Sequence, residues 1–180
     1  MTLFESKYRI ESTRLKPWNY SSRGWYFVTI CTHHRQPIFG RIADNKIRLT
    51  VLGEIADSDL RTLNSHYRNV DVIEHVVMPN HVHAIIMIDG EHCFSPRINA
   101  KLSGHSSPPF TSPQTESLSA IVRSYKAGVT FKARGLGFPQ AIWQTRFHDH
   151  LLRGDRVIAA VRDYILNNPA NWAMDKENRS

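Results

Sequence analysis

The stretch from Val70 to Ile88 leaves this chain few folds to choose from. Two β-rich segments, residues 70 to 77 (Val-Asp-Val-Ile-Glu-His-Val-Val) and 81 to 88 (His-Val-His-Ala-Ile-Ile-Met-Ile), are separated only by Met78, Pro79 and Asn80. So short a connection makes the pair an antiparallel hairpin. From Ala84 to Ile88 the second segment is apolar on both faces, the pattern of a strand in the middle of a covered sheet. Side chains alternate along a strand, so His81 and His83 point to one face, about 6.6 Å apart along the chain. Two imidazoles at that spacing can share one metal ion, and the edge of a rigid core is where such a site is held best. The plainer reading is that a His-x-His pair merely ends a strand, and the rest of the chain has to decide between them.

At 180 residues, 41% apolar and 22% charged, the chain suits one domain with a proper core. Lys and Arg number 23 against 16 Asp and Glu, a net charge of +7 that suits a polyanionic partner without identifying one. Cys31 and Cys93 lie far apart and form no metal or redox spacing, so reduced thiols are expected. No apolar run approaches the ~20 residues needed to span a bilayer, and the N-terminus lacks a signal-peptide core. The expected location is the cytoplasm, with no membrane partner.

Residues 1 to 24 form a basic, aromatic arm that includes Lys7, Tyr8, Arg9, Arg14, Lys16, Trp18, Tyr20 and Arg23. Cations interleaved with rings describe a contact surface for single-stranded nucleic acid, and equally an extended arm packed on its own domain. Trp25 to Thr32 reads as a first strand with Tyr26, Val28 and Ile30 on one face. Thr50 can cap a scaffold helix carrying Leu52, Ile55, Ala56, Leu60 and Leu63 at helical spacing. Residues 89 to 116 lose periodicity and collect Ser, Pro, Gly and Lys, which predicts a flexible insertion or linker. Ser117 then caps a helix with the stripe Leu118, Ile121, Val122, Tyr125 and Val129. Lys126 lies off that stripe, where it either meets a phosphate or is simply solvated.

Trp143 to Leu152 reads as the last strand and holds a second pair, His148-Asp149-His150. A dinuclear hydrolase with Asp149 as a bridge would use both pairs, but in a strand Asp149 points away from its neighbours. A final helix begins near Asp155 and ends by Asn168, because Pro169 cannot continue it. At roughly 100° per residue, Tyr164 and Asn168 lie one turn apart on the edge of the face formed by Val157, Val161 and Ile165. Apolar neighbours alone would make Tyr164 a core residue; an amide one turn on argues for more.

These motifs together resemble the single-tyrosine HUH transposases. They are His81-Val82-His83 within Met-Pro-Asn-His-Val-His, the run from Trp143 to His150, and Tyr164-Ile-Leu-Asn-Asn-Pro169. The branch most similar is that of the REP-associated tyrosine transposases, and Tyr26-Phe-Val-Thr-Ile30 after a basic aromatic arm fits it too. The resemblance runs from about residue 14 to Asp175, and the Ser/Pro-rich 89 to 116 segment departs from the family pattern. It implies an α+β fold, a ferredoxin-like antiparallel sheet with helices packed on one side. Residues 25 to 175 would form the domain and 176 to 180 a tail. It further implies a homodimer that cleaves and rejoins single-stranded DNA at hairpins, near the nucleoid. His81, His83 and Asn168 would ligate the metal and Tyr164 would be the nucleophile, with Arg14, Lys16, Trp18, Arg23 and Lys126 meeting DNA.

A phosphodiester is an anionic, reluctant electrophile, so a divalent ion at its non-bridging oxygens supplies much of such catalysis. Ligand preference alone ranks manganese or zinc before magnesium, and the resemblance implies Mg or Mn. Two alternatives remain open in the sequence: a domesticated hairpin-binding protein that performs no transposition, and a hydrolase built on the two His-x-His pairs.

Overall fold

The computed structural model describes residues 3–4, 8–9, 23–89 and 117–178. In chain order, a short antiparallel pair, β1 (Leu3–Phe4) and β2 (Tyr8–Arg9), precedes β3 (Gly24–Cys31). After a turn at His33–Arg35 come the hairpin β4 (Gly40–Ala43) and β5 (Lys46–Leu49), then α1 (Val51–Arg61) and the short α2 (Leu63–His66). The predicted hairpin follows as β6 (Val70–Val77) and β7 (His81–Ile88). The chain closes with α3 (Leu118–Gly135), β8 (His148–Leu152), α4 (Asp155–Asn167) and a 3₁₀ turn at Trp172–Met174.

The local chemistry explains most of these boundaries. Thr50 caps α1 by accepting from the Gly53 amide at 3.2 Å, and Ser117 caps α3 by accepting from Ala120 at 3.3 Å. Asp44 and Asn45, with φ of 53° and 57°, make the left-handed two-residue turn that a tight hairpin needs. Gly53 is required by close approach, since a Cβ there would sit 2.0 Å from the Phe39 carbonyl oxygen. The first helix ends short of Leu63 because the Thr62 hydroxyl bonds back to the Ser58 carbonyl at 3.0 Å and a new turn starts.

The main sheet has the order β6-β7-β3-β8, every neighbour antiparallel. With α1 between β3 and β6, and α3 between β7 and β8, this is the ferredoxin-like arrangement: fourth, first, third and second strand across the sheet. On one face Tyr26, Val28, Ile30, Val82, Ala84 and Ile86 pack under α1 and α3, whose Leu52, Ala56, Leu60, Ile121, Val122 and Val129 complete the larger core. The Val, Leu and Ile side chains among them contribute ~1.5–3 kcal/mol each when fully buried. The expectation of helices on one side is met by α1 and α3. The last helix, α4, covers the opposite face, where Ile85 and Leu152 meet Ile165 with Phe27, Val76, Ile158 and Val161 around them. Strand alternation puts His81 and His83 on this second face together with Ile85.

The last strand is shorter than expected and starts at His148, with Trp143 making only an isolated bridge to Thr32. Around that bridge the Ile142 carbonyl accepts from the His33 amide at 2.8 Å and the Gln144 amide donates to the Cys31 carbonyl at 3.0 Å. The pairing breaks only after it, where the Lys126 ammonium holds the carbonyls of Gln144 and Arg146 and the Trp143 indole donates to the Lys126 carbonyl at 3.1 Å. At the other end, Glu177, expected in a tail, is buried, its carboxylate bonded by Arg35 and its carbonyl accepting from Asn80. The 89 to 116 insertion lies outside the described residues but for Asp89.

Candidate active site

The two histidines of β7 stand opposite Cys31 and Thr29 of β3. Both rings are fully buried, with centroids 4.3 Å apart. Each turns its Nδ1 outward: His83 Nδ1 lies 2.9 Å from the Thr29 hydroxyl, and His81 Nδ1 lies 2.9 Å from Asn80 Oδ1. Asn80 donates its Nδ2 to the Glu177 carbonyl at 2.9 Å, which leaves its oxygen to face His81. That oxygen only accepts, so His81 carries its proton on Nδ1 and presents a bare lone pair at Nε2. Burial pushes the His81 pKa down to about 3, helped by the nearby Arg35 charge. Burial, then the charge of His81, holds His83 well below the usual range as well. Both imidazoles are therefore neutral at physiological pH, the form that binds a metal.

Helix α4 brings the other half. Pro169 stops it after one more residue, and the turn at Trp172–Met174 folds the chain back so that Asp175 meets the histidines. The Asp175 Oδ2 accepts from Asn168 Nδ2 at 2.6 Å and from the Tyr164 hydroxyl at 3.3 Å, while its Oδ1 accepts from the Glu177 amide at 2.7 Å. The Tyr164 hydroxyl is also 3.3 Å from His83 Nε2. Tyr164 is 39% exposed, so one side of the ring faces solvent while its oxygen faces the site. Partial burial, followed by the Asp175 charge and hydrogen bond, pushes its pKa up to about 12, against an opposing bond from Asn168.

Whether these residues suit a divalent ion is decided by what they leave unpaired. Among the described residues, His81 Nε2 and Asn168 Oδ1 are buried with no hydrogen-bond partner, a cost that native proteins seldom accept without a ligand. Ligand atoms of His81, His83 and Asp175 lie within 4.8 Å of one another. Two neutral imidazole nitrogens, a carboxylate and an amide oxygen fit a divalent ion such as Mn²⁺ or Mg²⁺.

Asp175 is the candidate ligand that the sequence did not suggest. It sits on no periodic element, and the only signal is an acid shortly beyond a proline-stopped helix. Behind the site, Arg35 pairs with the Glu177 carboxylate, and the Cys31 thiol donates to the same group at 3.5 Å. Cys31 is buried, which raises its pKa and keeps it a neutral thiol.

No protein-family model matches the chain. An uncharacterized protein of Haemophilus influenzae is 33% identical over 165 residues, 92% of this chain and 91% of that one. The chain belongs to that protein's family. Its fold is that of a REP-associated tyrosine transposase solved bound to a REP hairpin, with a TM-score of 0.58, 18% identity, and coverage of 93% of this chain and 77% of that one. A Deinococcus radiodurans structure, provisionally named a transposase, is more distant, with a TM-score of 0.48 and 11% identity over 89% of this chain and 97% of that one.

Within this fold, the structure brings His81, His83, Asn168 and Tyr164 together. The expected DNA contacts fare differently. Arg14, Lys16 and Trp18 lie outside the described residues. Arg23 is exposed and pairs loosely with Asp89 at 3.5 Å. Lys126 is half-buried, and its ammonium is spent on the carbonyls of Gln144 and Arg146, at 2.6 and 3.3 Å. Its role in the fold is to hold the chain before β8. The second histidine pair forms no metal cluster among the described residues: His148 and His150 are exposed, and Asp149 is buried on the opposite face, in register with Val28. No described helix is long and apolar enough to cross a membrane.

Proposed function

We propose that this protein is a transposase-type enzyme that cleaves and rejoins single-stranded DNA at hairpins through a covalent bond to Tyr164. The observation that carries the reading is the Tyr164 hydroxyl, 3.3 Å from both His83 Nε2 and Asp175 Oδ2 at the edge of the buried ligand cluster. The fold neighbour bound to a REP hairpin supports DNA hairpins as the substrate class. A homodimer and action near the nucleoid belong to the same reading.

His81, His83, Asp175 and Asn168 would hold a divalent ion, Mg or Mn. Such an ion withdraws charge from the non-bridging oxygens of the attacked phosphate. The protein's own groups do the rest. Thr29 and Asn80 fix the imidazole rings, and α4 holds the Tyr164 ring against Phe27, 6.1 Å away and edge-on. The tyrosine oxygen attacks phosphorus as its proton passes to the Asp175 carboxylate, and the bond to the deoxyribose oxygen breaks, that oxygen taking a proton from solvent and leaving as a hydroxyl. The phosphoryl group then remains on Tyr164. A DNA hydroxyl reverses the step by attacking the phosphotyrosine and releasing its proton to solvent, while Asp175 returns a proton to the departing tyrosine oxygen, so joining needs no nucleotide triphosphate.

Incubation of the protein with labelled hairpin oligonucleotides and Mg or Mn, followed by a denaturing gel, tests the reading. A slow-migrating DNA–protein adduct is expected. Tight hairpin binding with no adduct would instead identify a binding protein that has lost the chemistry, and free cleaved product surviving Tyr164→Phe would identify a hydrolase.

A further inference from the structure

Beside the metal-binding histidines lies a second feature that the cleavage chemistry does not use. A cleft of about 440 Å³ is walled by Pro37, Ile42, Pro79 and Trp172, with Arg35 and Arg41 among its lining residues. Its volume falls within the ~300–1,000 Å³ of small-molecule sites. The Trp172 ring lies 6.0 Å from the His81 ring at an interplanar angle of 28°, so the cleft and the candidate metal site share a wall.

The charges at the cleft are arranged for an anion. Arg35 is committed to Glu177, but Arg41 is exposed and has no carboxylate partner among the described residues. Directly across the β4–β5 ladder from Arg41 stands Arg48, also exposed. Like charges facing each other across a strand pair repel, and an anionic group between them would relieve the cost. The preceding turn is strained to form this wall: His34 and Arg35 both take left-handed backbone, at φ of 50° and 54°, without being glycine.

We propose that this cleft binds one unpaired nucleotide of the DNA strand running through the active site. The base lies against Trp172 and the proline rings, and the adjoining phosphate lies on Arg41 and Arg48. An apolar wall with a cation at its rim, here Arg41 with Arg48 beside it across the ladder, is how proteins hold single-stranded nucleic acid. The occupant is part of the substrate strand because the cleft adjoins His81. The inference rests on the cleavage reading for its substrate, while the binding itself is measured separately.

The test is fluorescence anisotropy in EDTA with two short labelled probes, a DNA strand of mixed sequence and the same deoxyribose-phosphate strand lacking bases. The wild-type protein is expected to prefer the base-bearing strand, and Trp172→Ala to lose about tenfold of that preference. Trp172→Phe, which keeps a ring, retains most of it. Arg41→Ala, an exposed change that leaves folding alone, weakens both probes alike and lowers the salt slope by about one. A wild-type protein without base preference, or a preference unchanged in Trp172→Ala, overturns the proposal. Adduct formation at Tyr164, assayed separately, keeps the two ideas apart. An adduct without base preference sinks the cleft and spares the cleavage reading, and base preference lost in Trp172→Ala with no adduct does the reverse.

Discussion

The two faces of the central sheet each hold a helical tyrosine, and they treat it in opposite ways. Under α1, Tyr125 is sealed in the larger core, its hydroxyl donating to the Ala56 carbonyl at 3.0 Å. Burial, with the charges of Asp59 and Asp57 behind it, drives its pKa well above the usual value and keeps it neutral. On the far face Tyr164 is partly open, and its hydroxyl meets an imidazole nitrogen and a carboxylate. The scaffold face satisfies a polar atom with a backbone group that has nothing further to offer. The site face surrounds one with groups that can still take a proton or a metal.

The sharpest break of that contrast is to remove the two oxygens in turn. Tyr164→Phe is expected to eliminate the covalent adduct and retain hairpin binding, as read on denaturing and native gels. Tyr125→Phe should retain both and cost ~1 kcal/mol of stability, the worth of one buried hydrogen bond, as read by urea unfolding.

The paired histidines come next. Changing His81 and His83 together to Ala should abolish cleavage and leave the circular dichroism spectrum intact, whereas His148→Ala with His150→Ala should keep cleavage within about twofold. Persistence of cleavage in EDTA would contradict a metal role for the first pair. A smaller effect is expected one layer out. Glu177→Ala frees Arg35 beside His81 and loosens the turn whose carbonyl orients Asn80. Manganese affinity should fall about tenfold, as usual when an outer partner of a ligand is lost, with the fold retained. The least effect on chemistry belongs to Gly53→Ala. The clash with Phe39 should cost ~1–3 kcal/mol of stability and leave adduct yield per folded molecule unchanged.

How much of this could be read from the sequence follows from the range of the forces involved. The hairpin at Pro79, the caps at Thr50 and Ser117 and the pairing of Tyr164 with Asn168 are local, set by alternation, side-chain caps and helical repeat. The face on which α4 packs is not local, because Ile158, Val161 and Ile165 would suit either side of a covered sheet, while Val157, expected on the same face, is left exposed. Trp143 pairs with Thr32 as its composition suggests, yet the pairing breaks just after it, where the Lys126 ammonium from the preceding helix takes the carbonyls of Gln144 and Arg146. Asp175 and Glu177 were out of reach for a similar reason. They lie on an aperiodic turn, and their value to the site comes from Asn168, Asn80 and Arg35, which only the folded chain brings near.

The central claim is that Tyr164 forms the bond to DNA. Protease digestion of the adduct and mass spectrometry of the DNA-bearing peptide test it directly. The expected result is a nucleotide mass on the peptide containing Tyr164, at that residue. A DNA-linked peptide lacking Tyr164, whether it carries Tyr125 or any other nucleophile, would contradict the account.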